Sequence, residues 1–400
     1  MRKRRLKSLF KKIRRKMHYW DWMIAGPYII LSCLGIVMVY SASAGIQMQN
    51  GQRPLSYLIR QLIYVLMGLV VFILFSSVRL DKLRNPGFLR WFFRILLVLL
   101  IVVRVHGAAI NGAHGWLHLG FFNIQPAEVC KLFLILYLAN QFAHVSERGL
   151  SYKSAQAWKP TILLGVLLLL IIIQPDIGGF TINATIAIVI VLASGIPLSI
   201  SLSVLGLGVF MLAFGVPTMA HVFVGHIHNY QAARFVAFID PFQHARGIGS
   251  QLVNSYYAIS NGGFHGAGLG NSIQKMGYLP EPNTDFIMSI IAEELGLIGV
   301  TIILVLLATI ILHTVRLGVK THSMYEALVC YGVGAFISVE TLFNIGGVLG
   351  LLPITGVTFP FISYGGSSML VLCASIGLVE NISIRRKREQ IRKNLDQVYE

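Results

Sequence analysis

The chain has 400 residues, of which 55% are hydrophobic and 12% charged, with a formal net charge of +17. A soluble domain carries about twice that charged fraction, so this composition, with a mean hydropathy of +0.70, excludes a soluble globular protein and points to a polytopic membrane protein. The charge is confined: 26 of the 33 Lys and Arg fall in tails and loops that a ten-span arrangement places on one face, the positive-inside pattern, which leaves no role for a nucleic-acid partner.

Residues 2–16 hold ten Lys or Arg. Apolar positions among them fit either a segment lying on the membrane surface or a solvated tail. Apolar runs follow near 22–40, 58–78, 88–105, 127–145, 161–173, 178–196, 198–217, 286–312, 324–345 and 366–379. The first lacks a small-residue cleavage site and reads as a retained anchor. The expected fold is an all-α polytopic membrane protein of about ten transmembrane helices, with a large extracellular loop between helices 7 and 8. Its parts are a basic cytoplasmic tail (1–20), a membrane domain (21–384, with 219–285 as the outer loop) and a second basic cytoplasmic tail (385–400).

Cys33, Cys130, Cys330 and Cys373 all fall within predicted spans without metal or disulfide spacing, so they read as reduced packing residues. Gln125-Pro-Ala-Glu-Val-Cys-Lys131 opens the fourth span. Pro126 suits a first helical position, Glu128 sits in the dipole-favoured first turn, and Lys131 is three residues on, close enough to pair. The pair is either structural or a polar patch that offers Lys131 to an anionic substrate. Gln174-Pro-Asp176 breaks the next run, and Asp176 suits a helix cap.

His221, His226 and His228 are the densest histidine cluster but match no metal motif. Asn261 to Gly270 holds five glycines, which fits either a turn that cradles a ligand or a flexible connector; with no Gly-Lys-Ser/Thr it is not a P-loop. Tyr278-Leu-Pro-Glu-Pro-Asn-Thr-Asp-Phe286 then brings Glu281 and Asp285 to the lip of a span. A carboxylate at such a depth is costly and marks a functional site. On the same span Glu293, eight residues on, stays nearer the face of Asp285 than Glu294 does. A buried acid there is expected to pair with Lys131 or to accept from loop backbone. Glu340 lies within the ninth span, and the loop 346–368 supplies prolines, glycines and hydroxyls, Ser363 among them, on the face of Asp285.

Together these motifs, with Asn111-Gly-Ala, Asp240-Pro, Glu293-Glu-Leu-Gly296 and Leu352-Pro-Ile-Thr-Gly-x-x-x-Pro-Phe-Ile-Ser-Tyr-Gly-Gly-Ser-Ser368, resemble the SEDS family of bacterial cell-wall polymerases over about residues 20–385. The resemblance implies an outward-facing glycosyltransferase that polymerises lipid II, the undecaprenyl-pyrophosphate disaccharide pentapeptide. The wording of the outer motifs is more like the division than the elongation members. It implies Asp285 as the catalytic carboxylate and Gln125, Glu128, Lys131, Asp176 and Ser363 as substrate-binding residues. Cations for the departing pyrophosphate would come from Lys131, Arg234, Arg246 and Lys275, with a divalent ion, Mg or Mn, as a candidate cofactor.

Implied partners are a class B penicillin-binding protein transpeptidase and divisome membrane proteins, at a septal membrane with both termini cytoplasmic. A lipid II flippase is the alternative class. Two positions depart from the family pattern: Gly115 stands between His114 and Trp116 where arginine is expected, and Glu340 stands where glutamine is expected.

Overall fold

The computed structural model describes residues 18–49, 51, 55–110, 113–118, 123–149, 155–197, 199, 201–203, 206 and 230–399. The histidines 221, 226 and 228 and most of the seventh predicted span lie outside them. The described helices are α1 (Trp22–Gln49), α2 (Leu55–Phe75), α3 (Leu80–Leu83), α4 (Pro86–His106), α5 (Pro126–Glu147), α6 (Ala155–Ile173), α7 (Ile177–Ala193), α8 (Tyr230–Ile239), α9 (Ser250–Gly262), α10 (Ile287–Lys320), α11 (Met324–Val348) and α12 (Gly366–Tyr399). Six of them, α1, α2, α5, α10, α11 and α12, are long and apolar enough to cross a membrane, and apolar stretches of α6 and α7 are shorter. The architecture is the all-α polytopic membrane fold. The cations of 385–393 continue α12 as helix.

Polarity sets the layering. A polar side chain facing lipid is costly, and the helices that carry such side chains sit innermost: α5 with Lys131, α11 with Glu340 and Asn344, α12 with Ser375 and Glu380, all buried. The more uniformly apolar α2 and α10 lie outside and present most of their surface outward. α5 packs on both α7 and α11, α10 on α1 and α11, and α12 on α2. A smaller apolar cluster, including Leu96, Leu100, Phe133, Leu167 and Ile171, joins α4, α5 and α6.

Two features depart from the sequence expectation. Between α4 and α5 the chain forms a three-stranded antiparallel sheet in which β2 (Ala113–His118) pairs with both β1 (Ala108–Ile110) and β3 (Asn123–Ile124). It brings Trp116 to one end of the bundle. The second feature is a break in α10 at Gly296, whose φ of 66° and ψ of −170° are not helical.

The glycine-rich turn fills that break. Leu297 and Ile298 N–H groups, which an unbroken helix would aim at the carbonyls of 293 and 294, donate instead to the carbonyls of Gly263 (3.0 Å) and Phe264 (3.3 Å). The Glu293 and Glu294 carbonyls accept from Ala267 (2.8 Å) and Gly268 (3.1 Å). A Cβ on Gly266 would stand 2.2 Å from the Glu294 carbonyl oxygen, so only glycine permits the approach. The turn is neither a ligand cradle nor a loose connector: it splices into the helix backbone.

Candidate functional site

The starts of α5, α7 and α12, the turn before α10, α8 and the loop between α11 and α12 converge around a cavity of about 180 Å³, whose lining includes Trp116, Gln125, Glu128, Asp176, Arg234, Glu281 and Asp285. The opposite end carries surface ion pairs, Arg84 with Glu147 at 2.9 Å and Arg385 with Glu326 at 3.3 Å.

Asp285 is half-buried immediately before α10. Its backbone is fixed from behind. Asn344 Nδ2 donates to the carbonyls of Asp285 (2.8 Å) and Val357 (2.7 Å). Ser363 Oγ donates to the Thr284 carbonyl at 2.7 Å and accepts from Phe359 N–H at 2.7 Å, while Tyr364 N–H donates to the Asn283 carbonyl at 2.9 Å. The segment 283–285 is thus sewn to the loop between α11 and α12. Glu281 begins the turn in the left-handed region, φ 53°, and is exposed, its carboxylate accepting from Thr284 Oγ1 at 3.2 Å.

Gly356 separates Asp285 from Arg234 of α8. Its φ is +74°, and a Cβ there would stand 3.1 Å from both terminal guanidinium nitrogens and 3.4 Å from Asp285 Oδ2. Burial pushes the Asp285 carboxyl up to about 6, against the pull of Arg234 and with help from Glu281. Such a group is mostly ionised at neutral pH yet basic enough to accept a proton.

The facing wall is built from helix starts. Asp176 caps α7, with Oδ1 accepting from Gly179 N–H at 2.7 Å and Oδ2 from Gln125 Nε2 at 3.1 Å. Burial raises its carboxyl above the usual aspartate range, an effect the Gly179 amide opposes. Gln125 N–H donates to Ser367 Oγ at 3.1 Å, and that hydroxyl donates to the Asn123 carbonyl at 2.6 Å, tying β3 and α5 to α12. Below the cavity Lys131 Nζ bridges Glu128 at 2.7 Å and Glu340 at 2.5 Å, and it lies 5.0 Å from the ring centre of Phe336. Lys131 and Glu340 are fully enclosed, whereas the Glu128 side chain keeps 13% exposure toward the cavity.

Asp285, Gln125, Glu128 and Asp176 therefore share one cavity, and Lys131 lies directly beneath it. Lys275 does not reach it: its Nζ is buried against Glu294 at 2.7 Å and Ser41 Oγ at 3.0 Å. Arg246 is exposed on the loop 242–248, around a separate surface hollow. Ser363 holds backbone and does not line the cavity. Glu293 is not the companion of Asp285; it accepts from Ser272 Oγ, from the N–H groups of Ile273 (3.1 Å) and Gln274 (3.3 Å) and from Asn261 (3.3 Å). This is the loop-backbone role expected for a buried acid. The His114 side chain lies outside the described atoms.

Asn344 and Trp116 escaped the sequence reading. An amide near the end of an apolar run was the available signal for Asn344, because a buried group of that kind needs a partner. Among the described residues no three His, Cys, Asp or Glu gather closely enough to hold a metal ion.

A profile of the family described as cell cycle protein, FtsW/RodA/SpoVE, matches residues 21–388. A protein of Lactococcus lactis named probable peptidoglycan glycosyltransferase FtsW is 37% identical, with 94% of this chain and 95% of that protein covered. A solved structure described as the structural coordination of polymerization and crosslinking by a peptidoglycan synthase complex superposes with a TM-score of 0.72 at 27% identity, covering 91% of this chain and 97% of the other. The rod shape determining protein RodA of Thermus thermophilus superposes with a TM-score of 0.65 at 26% identity over 91% of this chain and 96% of its own.

Proposed function

The chain belongs to the FtsW/RodA/SpoVE family, and from that premise we propose that it is a peptidoglycan glycosyltransferase of the FtsW type, which polymerises lipid II into glycan strands on the outer face of the cytoplasmic membrane. The observation that carries the chemistry is Asp285, a half-buried carboxyl on an immobilised turn, poised near 6 at the wall of a polar cavity. Asp285 takes the proton of an acceptor sugar hydroxyl as its oxygen attacks the anomeric carbon of the donor. The bond from that carbon to the pyrophosphate oxygen breaks, and the electron pair leaves with the lipid-borne pyrophosphate.

Among the described residues Arg234 is the cation that lines the cavity. It is placed to offset the charge that grows on the pyrophosphate. Lys131 is held between two carboxylates, so its positive charge is already compensated, and we assign it to the architecture of the floor.

The basic end is cytoplasmic in this reading, by the positive-inside rule, so both termini are cytoplasmic, the cavity faces outward and the protein acts at the division septum. The similarity to the peptidoglycan synthase complex supports a class B penicillin-binding protein as partner, with divisome membrane proteins around it. The test is purified protein with a transpeptidase partner that lacks glycan chemistry, given lipid II in detergent and assayed for polymer. Polymer that is lost with Asp285→Ala is the expected result. Lipid II movement across vesicles with no polymer would overturn it in favour of a flippase.

A further inference from the structure

The end of the bundle away from the cavity holds two hollows, and their charges differ. In the one between α3, α11 and α12, of about 200 Å³, cations alternate with Asp81, Glu326 and Glu389, and Arg385 is paired with Glu326 at 3.3 Å. The other, of about 230 Å³, lies between α10 and α12, shares Lys320 and Arg386 with the first, and has a different balance: Arg316, Lys320, Arg386 and Lys387 converge on it with His313, against Asp21 as the sole carboxylate of its lining.

The convergence follows from helical spacing. His313, Arg316 and Lys320 are three and seven residues apart on α10, and Ser383, Arg386, Lys387 and Gln390 repeat that spacing on α12, so both helices turn one polar stripe toward the same space. Among the described residues none of the four Lys and Arg has an acidic partner within ion-pair distance. Lys387 Nζ donates to the Trp20 carbonyl at 2.9 Å, and its charge also acts on the buried Glu380 carboxylate. Asp21 is committed to its own helix start: its carboxylate accepts from Met23 N–H at 3.2 Å and from Ser383 Oγ at 3.5 Å.

Like charges gathered around a cavity repel one another unless an anion sits among them. What selects the anion is the surface next door. Leu312 (62% exposed), Val315 (37%) and Val319 (70%) form an apolar lane on α10 beside His313, Arg316 and Lys320. Phosphate-seeking cations at the end of such a lane match a molecule with an anionic head and a hydrocarbon tail.

We propose that the hollow between α10 and α12 is a binding site for the phosphate head of an anionic phospholipid, whose acyl chain lies along Leu312, Val315 and Val319. The lipid bridges α10 to α12 and the start of α1, which are themselves joined by Asp21 N–H to Glu380 (2.6 Å), Ser383 Oγ to Asp21 and Lys387 Nζ to Trp20. The cavity chemistry is not involved, and the site stands whether or not Asp285 is the base.

The test uses the full chain in detergent, titrated with phosphatidylglycerol or phosphatidylcholine, with retained lipid read by native mass spectrometry. Phosphatidylglycerol is expected to remain bound where phosphatidylcholine is stripped. Arg316→Gln/Lys320→Gln/Arg386→Gln is expected to weaken its retention roughly tenfold to a hundredfold, since each cation near an anionic head contributes several-fold. The Lys320→Gln/Arg386→Gln pair serves if the triple variant folds poorly, with a smaller loss in the same direction. Removal of the same charge from exposed positions elsewhere, Arg90→Gln/Arg94→Gln/Arg392→Gln, is expected to leave retention unchanged. Equal weakening by that control would reduce the effect to general attraction and overturn the site. Displacement of the lipid by millimolar glycerol phosphate would overturn the lipid assignment in favour of a soluble phosphate.

Discussion

Arg234→Gln is the perturbation that most directly probes Asp285 as the base. The terminal guanidinium nitrogens and Asp285 Oδ2 lie 3.1 and 3.4 Å from one shared point, the place where Gly356 would carry a Cβ. The two groups are therefore no more than about 6.5 Å apart, and opposite charges near that limit attract by about 2 to 3 kcal/mol at an effective dielectric of about 20, which salt in the open cavity reduces. At 1.36 kcal/mol per pH unit, the loss of the cation should raise the Asp285 carboxyl by about one to two units. The wild-type carboxyl sits at about 6. A base works only when deprotonated, so the wild-type polymerisation rate should fall about tenfold per unit below pH 6 and level off above it. In Arg234→Gln that limb should move to about pH 7 to 8, on top of any loss from weaker pyrophosphate binding. The assay is the initial rate of polymer formation at saturating lipid II from pH 5 to 9. A limb that stays in place or moves to lower pH would refute the electrostatic coupling, and a normal rate from Asp285→Ala would refute the base itself.

The same carboxyl should cost stability. Its folded value lies above the ordinary aspartate value, so the fold binds the proton more tightly than the unfolded chain does, and stability falls as pH rises from about 4 to 6. Asp285→Asn is therefore expected to melt at a higher temperature than wild type at pH 7.5, with the gap closing below about pH 4, as read by thermal denaturation in detergent. Asn344→Ala removes the donor shared by the Asp285 and Val357 carbonyls. It should cost about 1 to 3 kcal/mol and lower the maximal rate more than it changes the lipid II dependence. Lys131→Ala leaves Glu128 and Glu340 facing each other, a loss of about 3 to 5 kcal/mol. Lys131→Met combined with Glu128→Gln and Glu340→Gln should restore folded yield, and failure to do so would mean that Lys131 supports more than its two partners.

Much of this was legible because it is local. Apolar runs located the helices, Asp176 preceded Ile-Gly-Gly as a cap should, and Glu128 and Lys131 were close enough in sequence to pair. The small sheet was not legible, since strands of two to six residues carry too little alternation to stand out. The break at Gly296 was hidden inside an apolar run of ordinary helix formers, and its cause, the turn at 263–268, lies some thirty residues upstream. Lys275 was read as a phosphate ligand because its partner could not be seen: Glu294 and Ser41 are brought to it by packing of α10 on α1. Glu340, odd in sequence, becomes the second carboxylate on Lys131 across 209 residues.

These long-range pairings narrow the choice of base more than the position of any single acid does. Glu293 is engaged by a hydroxyl, two amides and an asparagine, Glu294 by Lys275 and Ser41, Asp176 by Gly179 and Gln125, and Glu128 and Glu340 each through one oxygen by a shared lysine. Oxygens that already accept from these donors are not free to receive a proton from a substrate hydroxyl. Asp285 differs: its turn is fixed through backbone carbonyls, while among the described residues its carboxylate is influenced by Arg234 and Glu281 through charge alone, with no donor hydrogen-bonded to it. The structure immobilises the base by its main chain and leaves its oxygens available to a sugar hydroxyl. A general base needs that division of labour, because any donor spent on holding the side chain in place would also lower its affinity for the proton.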